Sequence, residues 1–317
     1  MKLELSVLEL RLLRELCLKE YKNIGELAKA LRKSPTRVSI ALKDLENKGF
    51  VEKKKVGISK KVVLSSNRHA VSFKTLLNQY PHIRFERLLS GSALEILLPL
   101  AFYHKMKLKD IARLSGCSEV TVRRAIKRLK EFGLVVGDRS FFYSIGSFYF
   151  WLAEFVRDFQ DFINLRLALS LSSTSVVLWR WGTEFLIKTR EEKKQENFFP
   201  TCYEKMSDYG IQLILTEYRY YLHSPFRRKL RVEDIALHTL FLEQTPRNLL
   251  YVLLLIAKNL GKIRWEYLEA ESVKFKMEDV IQDMKKYLET RGTYRPKGFP
   301  GWGKFEAKAR EYEICLK

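Results

Sequence analysis

Along residues 34–51, SPTRVSIALKDLENKGFV, the apolar side chains Val38, Ala41, Leu42 and Leu45 recur at i, i+3, i+4 and i+7, the signature of one buried helix face. Ser34 has N-cap chemistry, Pro35 fits a first helical position, and Gly49 fits the left-handed residue that ends a helix. Upstream, Leu5 to Leu18 offers Val7, Leu8, Leu12 and Leu16 for one face of a first helix, and Ile24 to Leu31 forms a short second one. Downstream, Phe50-Val51 and the run Lys61 to Leu64 flank a turn containing Gly57, which predicts a two-stranded hairpin.

The pattern returns with an offset of 84 residues. SEVTVRRAIKRLKEFGLV, residues 118–135, matches the first segment without gaps at Ser118, Val122, Ala125, Lys127, Leu129, Gly133 and Val135. Ala93 to Tyr103, which contains Pro99, and Leu108 to Leu114 supply the two preceding helices. Leu134 to Val136 and Phe141 to Ile145 supply the hairpin strands around Gly137 to Ser140. An internal repeat of this length implies one supersecondary unit used twice.

Between the copies, Ala70 to Tyr80 reads as a helix stopped by Pro81, and Ile83 to Leu89 as a strand or a further helix. A connector this apolar is expected to pack and to hold the copies at a fixed spacing. Beyond Gly146 the chain becomes aromatic-rich. Ser147 to Leu171 predicts a long helix with Phe148, Trp151, Phe155, Phe159 and Phe162, a stripe that suits a core or a dimer seam better than a ligand box. Strand-like segments follow at Ser175 to Trp181, Glu184 to Thr189 and Gly210 to Tyr221, with an exposed loop from Arg190 to Asn197. Helices are expected at 230–241, 246–260, 264–275 and 277–289, and 248–292 could form a third, degenerate helical unit. The predicted fold class is therefore mainly α with small β hairpins, followed by a C-terminal α+β domain. The expected divisions are 1–67, a connector at 68–91, 92–147, and 148–317.

Three helices and a hairpin, twice, resemble the winged helix-turn-helix superfamily of prokaryotic transcriptional regulators. The first copy, IGELAKALRKSPTRVSIALKDLENKGFVEKKKVGISKKVVLS, is similar to the MarR-type branch. The resemblance covers about 5–66 and 92–146. The layout of the C-terminal half resembles abortive-infection-type antitoxins in general order only. The winged-helix resemblance implies that each third helix enters the major groove of double-stranded DNA. Its exposed residues would be Thr36, Arg37, Ser39, Ile40 and Lys43 in the first copy, and Thr121, Arg123, Arg124, Lys127 and Arg128 in the second. Lys53, Lys54, Lys55, Lys60 and Lys61 in the first wing, and Arg139 in the second, would follow the phosphate backbone or minor groove.

Charge adds weight to a polyanionic partner. The chain of 317 residues has 58 basic against 37 acidic side chains, a formal net charge of +21. Residues 1–150 alone carry 30 basic and 14 acidic side chains. Within 121–130, TVRRAIKRLK, five cations stand with no acid. Nucleic acid is favoured over an anionic membrane surface. The longest apolar run, Leu249 to Ala257, is nine residues, whereas a spanning helix needs roughly 20. Glu4 and Glu9 occupy the place of a signal peptide's apolar stretch, so a cytoplasmic protein is expected. A low Asn plus Gln content leans towards an archaeal or thermophilic source. Cys17, Cys117, Cys202 and Cys315 lack metal or disulfide spacing and read as buried thiols.

No cofactor loop, metal motif or catalytic constellation stands out, so a non-enzymatic regulator is expected, with the C-terminal half dimerising or sensing. The alternatives are a nucleic-acid-processing enzyme or a winged-helix protein-interaction scaffold. For the enzyme, Asp208 with Glu217-Tyr218-Arg219 presents a carboxylate pattern that could hold a divalent ion beside a phosphate. Glu233-Asp234 is better explained by the dipole at a helix start. The segment RGTYRPKGFPGWGK, 291–304, has a composition suited to stacking on single strands or to a surface loop.

Overall fold

In the computed structural model, helix α1 (Val7–Leu18) begins at a capping box between Ser6 and Glu9. It is followed by α2 (Ile24–Leu31), α3 (Pro35–Asn47) and an antiparallel hairpin of β1 (Val51–Val56) and β2 (Ser59–Leu64). The structure describes residues 2–19, 23–56, 59–103, 105–213 and 217–316, with the side chains of 55, 56, 59 and 60 left aside. The Gly57 turn and the side chains of Lys55 and Lys60 therefore lie outside what is described. Two helices, α4 (Arg68–Gln79) and the short α5 (Phe85–Leu88), make the connector. The order then repeats as α6 (Ala93–Phe102), β3 (Met106–Lys107), α7 (Leu108–Ser115), α8 (Glu119–Glu131), β4 (Val135–Gly137) and β5 (Phe142–Ile145). The two-residue β3 joins the second hairpin as a third strand, in the order β3-β5-β4. Two residues carry no readable alternation, so the sequence does not predict this strand.

The copies share their stop and start signals. The hydroxyls of Ser34 and Ser118 accept from the backbone N–H of Arg37 and Thr121. Gly49 and Gly133, at φ of 73° and 70°, turn the chain out of α3 and α8. In each case the next residue donates back to the helix, Phe50 N–H to the Leu45 carbonyl and Leu134 N–H to that of Leu129. This satisfies carbonyls that a helix end leaves unpaired.

The chain divides into two units, 1–167 and 168–317. The boundary falls inside α9 (Phe150–Leu171), twenty residues beyond the division expected at 147/148. The reason lies in the aromatic stripe. Phe155 and Phe159 are fully buried and meet Phe50 at ring-centroid distances of 6.2 and 4.8 Å, and Phe155 also meets Phe73. Each such ring is worth roughly 2–3 kcal/mol of burial. Phe162 lies against His69, while Phe148 is 71% exposed. The first part of α9 is thus a wall of the first unit's core. That core runs continuously from Leu3 to Ile163 through both copies and the connector. Arg14 on α1 pairs with Glu86 on α5 at 3.1 Å, and Leu5 bridges Gly91. Both copies are therefore fixed within one body.

The second unit contains a four-stranded antiparallel sheet, ordered β6 (Val176–Trp181), β7 (Glu184–Thr189), β9 (Arg219–His223) and β8 (Phe198–Pro200). A four-residue helix, α10 (Tyr203–Met206), precedes β9, and α11 (Val232–Leu242), α12 (Pro246–Lys258), α13 (Trp265–Phe275), α14 (Glu278–Glu289) and α15 (Trp302–Glu311) follow it. The expected strand over 210–221 is confined to its end: 211–213 are irregular, 214–216 lie outside the described residues, and the strand runs from Arg219 to His223. The short β8, just after the exposed 190–197 loop, has no counterpart in the expected elements. The three successive helices expected within 248–292 form as α12, α13 and α14, without a described strand after them to match the hairpins of the two copies. The 291–304 segment is largely a surface loop, with 291, 293–295 and 297–298 exposed; Phe299 is buried, and it and Trp302 both contact the Tyr287 ring. Burial of the thiols holds for Cys202 alone; Cys17 and Cys117 are half-buried and Cys315 is exposed. No described helix is long and apolar enough to cross a membrane.

Candidate nucleic-acid interface

Helix α8 separates an apolar from a cationic face along most of its length. Val122, Ala125, Ile126 and Leu129 are buried, which by the 3.6-residue period turns Thr121, Arg123, Arg124, Lys127 and Lys130 outward. None of the ion pairs among the described residues involves Arg123, Arg124 or Lys127. Arg123, Lys127 and Lys130 line an open concavity of about 440 Å³ with Leu108, Ile126, Glu131 and Tyr143. Lys130 sits over the Tyr143 ring at 5.8 Å. The result is a row of solvated cations with an aromatic floor, able to meet an anionic, flat or grooved surface.

Arg128 is the exception on this helix. Its guanidinium is turned into the connector, donating to the Leu88 carbonyl at 3.3 Å, and its Nε is buried without a partner. The expectation that Arg128 meets phosphate is therefore corrected: a side chain pinned against the α5 backbone is a positioning group between α8 and the connector.

The second hairpin ends in a compact turn. The Asp138 carboxylate accepts from the N–H groups of Ser140 and Phe142 at 2.9 and 3.0 Å, and faces Lys105 at 3.6 Å. The Phe142 N–H, followed by that of Ser140 and the Lys105 ammonium, holds the Asp138 carboxyl below its ordinary pKa. Arg139 is exposed on this turn, and Lys107 lies over the Phe142 ring at 5.2 Å. The contribution of Lys105 and Lys107 to this basic surface is not legible in the sequence, because they are brought there only when β3 joins β5.

The first copy differs in detail. Thr36, Arg37, Ser39, Ile40 and Lys43 are all exposed on α3, with Ile40 at 60%. Asp44 and Glu46 are exposed on the same helix. In the hairpin, Lys53 pairs with Glu46 at 2.5 Å and Lys54 with Glu52 at 3.1 Å. Lys61 is half-buried and also engaged. Of the first wing's described lysines, Lys53 and Lys54 thus each stand beside a carboxylate, while the side chains of Lys55 and Lys60 lie outside what is described.

The second unit holds a different cluster. Arg227 donates to Glu184, Asp234 and Glu271 at 2.9, 2.6 and 2.6 Å and to the Tyr267 hydroxyl at 2.6 Å, while Lys274 lies 3.4 Å from Glu184 and 2.9 Å from Glu271. Burial pushes the Glu184 carboxyl up, but Arg227 and Lys274 outweigh it and leave its pKa lowered. Burial would lower the Arg227 pKa, yet Asp234 and Glu184 raise it well above its usual range. Asp234 also accepts from the Arg231 N–H, and Glu233 from the Arg264 N–H, so these carboxylates do more than face a helix dipole. With every member satisfied, the cluster ties β7, α11 and α13 together. Its residues come from distant points of the chain, so no local signal marks it.

The side chains of the nuclease-like pattern each have a partner outside it. Asp208 pairs with Lys205 at 2.8 Å, Glu217 is exposed beside Arg190, and Arg219 faces Glu204 at 3.9 Å. Among the described residues no group of three His, Cys, Asp or Glu side chains is arranged to hold a metal ion.

Comparison with known families gives two partial matches. A family model described as HVO_A0114 matches residues 4–70, the span of the first copy and the start of α4. Another, described as HVO_2833_C, C-terminal, matches residues 195–314 within the second unit. No curated protein matches the chain.

Proposed function

We propose that this chain is a double-stranded DNA-binding transcriptional regulator that reads DNA with two winged helices, the second supplying most of the electrostatic grip. The observation that carries this reading is the face of α8, where Arg123, Arg124 and Lys127 are exposed without a described carboxylate partner. Arg123 and Arg124 have the planar donor fork that can meet guanine O6 and N7, and Lys127, further along, suits a phosphate. The repeated order of three helices and a hairpin supports the winged-helix assignment, with β3 completing the small sheet of the second copy. The second unit serves dimerisation or sensing, in a cytoplasmic setting.

The test is fluorescence-anisotropy binding of the full chain to random duplex DNA over a salt series, beside an Arg123→Ala/Arg124→Ala variant. The expected outcome is binding with a steep salt dependence, weakened in the variant, while Lys127→Ala lowers the slope by about 1. Absence of binding at low salt, or an unchanged affinity in the variant, would refute the reading.

A further inference from the structure

The most exposed large apolar side chain among the described residues is Phe141, at 75%. It sits at the tip of the second hairpin, between β4 and β5, at φ of 59°. A bulky residue seldom adopts this left-handed conformation, and glycine would adopt it at no steric cost. The surrounding turn holds it there. Phe141 N–H donates to the Asp138 carbonyl at 3.2 Å, Asp138 N–H donates to the Phe142 carbonyl at 3.0 Å, and the Asp138 carboxylate takes the N–H groups on either side of Phe141. An aromatic ring is thus kept in solvent by a turn braced at four points. Folding alone gives no reason for it, since the ring contributes nothing to the core.

The neighbourhood is cationic. Arg139 shares the turn, Lys107 covers Phe142, and Tyr143, two residues further, lines the concavity with Arg123, Lys127 and Lys130. An apolar protein partner would have to bury these charges, whereas a polyanion is met by all of them at once. Apolar side chains offered beside cations on a narrow element act in DNA as wedges between base steps, partly unstacking the duplex and bending it. Resting on the DNA-binding reading above, we propose that Phe141 is such a wedge, driven between base pairs of duplex DNA held by α8.

Unstacking of this kind unwinds the helix, which closed circular DNA records as a change in linking number. Relaxed plasmid is incubated with the full chain and a topoisomerase that relaxes both signs. It is then deproteinised and its linking number read by gel electrophoresis, with bound protein measured by co-sedimentation. Phe141→Gly removes the ring and accepts the positive φ, so the turn persists; Phe141→Leu keeps an apolar wedge. Wild type should lower the linking number in proportion to protein bound. Phe141→Gly should reduce the change per bound chain at least threefold while still binding, and Phe141→Leu should retain most of it. An equal change per bound chain for Phe141→Gly and wild type overturns the wedge. Wild type that binds plasmid without altering its linking number also overturns it and leaves the DNA-binding reading standing. Failure of wild type to bind plasmid at all removes both.

Discussion

The two copies of the helical unit are built alike and exposed differently. Both start their third helix at a serine cap and end it at a left-handed glycine, yet their charges meet different fates. On α3 and its hairpin, Lys53 and Lys54 are taken up by Glu46 and Glu52. On α8, Arg123, Arg124 and Lys127 have no such partner among the described residues. A count of cations would rank the first wing, with its five lysines, above the second. Among the described side chains, α8 holds more cations without an ion pair (Arg123, Arg124 and Lys127) than α3 (Arg37 and Lys43), and each can displace counterions from a phosphate backbone.

The copies also differ in how tightly the fold closes around them, and the largest test lies there. A Cβ at Gly49 would fall 2.4 Å from the Phe162 ring, whereas at Gly133 the nearest atom is 3.9 Å away on Tyr149. Both positions have positive φ, so alanine is strained at each, but only Gly49→Ala must also push an aromatic ring of α9. Urea denaturation should show a loss of about 2–4 kcal/mol for Gly49→Ala and about 1 kcal/mol for Gly133→Ala. Similar losses would mean that α9 yields freely and that the first copy is no more tightly clamped than the second.

Acid should find the same asymmetry. His69 is buried against Phe50 and Phe159, with its Nε2 2.9 Å from the Lys48 carbonyl. Burial lowers its pKa from 6.5 to about 4. Between those values the unfolded chain binds a proton that the folded chain refuses, so stability is complete above pH 6.5 and falls as pH drops towards 4. The loss from His69 is roughly 3 kcal/mol. Burial holds His238 in the second unit at about 4 too, so it adds a loss of the same sign. Hydrogen-exchange protection factors, which remove the intrinsic pH dependence of amide exchange, should therefore fall in β1 and β2 between pH 7 and pH 5, and less so in β4 and β5. His69→Gln should flatten the first copy's response; an unchanged profile in that variant would show that His69 is not the group responsible.

On DNA the expected ranking is the reverse. Arg123→Ala/Arg124→Ala should weaken binding to random duplex at low salt by about tenfold or more, and Arg37→Ala/Lys43→Ala by about threefold. Equal losses would dissolve the proposed dominance of α8. The smallest effect concerns the preceding helices. α2 ends at Arg32 with φ of 52°, while α7 ends at Gly116 with φ of 68°. Replacing Arg32 by glycine should raise stability by about 1 kcal/mol or less, measurable as a shift in the urea midpoint. No gain would mean that the Arg32 side chain stabilises the helix end by other contacts.

The sequence by itself determined the local architecture. The phase of Val38, Ala41, Leu42 and Leu45, the caps Ser34 and Ser118, and the stops Gly49 and Gly133 are contained in segments of fewer than twenty residues, and helix periodicity and turn chemistry act over that range. Most exposed residues of the candidate interface were readable for the same reason, since a helix that buries one face must present the other. Only tertiary structure decided what each face and charge would meet. It sent Phe155 and Phe159 into the first unit's core, turned Arg128 to Leu88 forty residues away, and paired Lys53 with Glu46. It also brought β3 to β5 and gathered Glu184, Arg227, Asp234, Glu271 and Lys274 into one cluster. Burial and ion pairing depend on distances between atoms rather than on separation along the chain, so the pattern that predicts a helix leaves its neighbours undetermined.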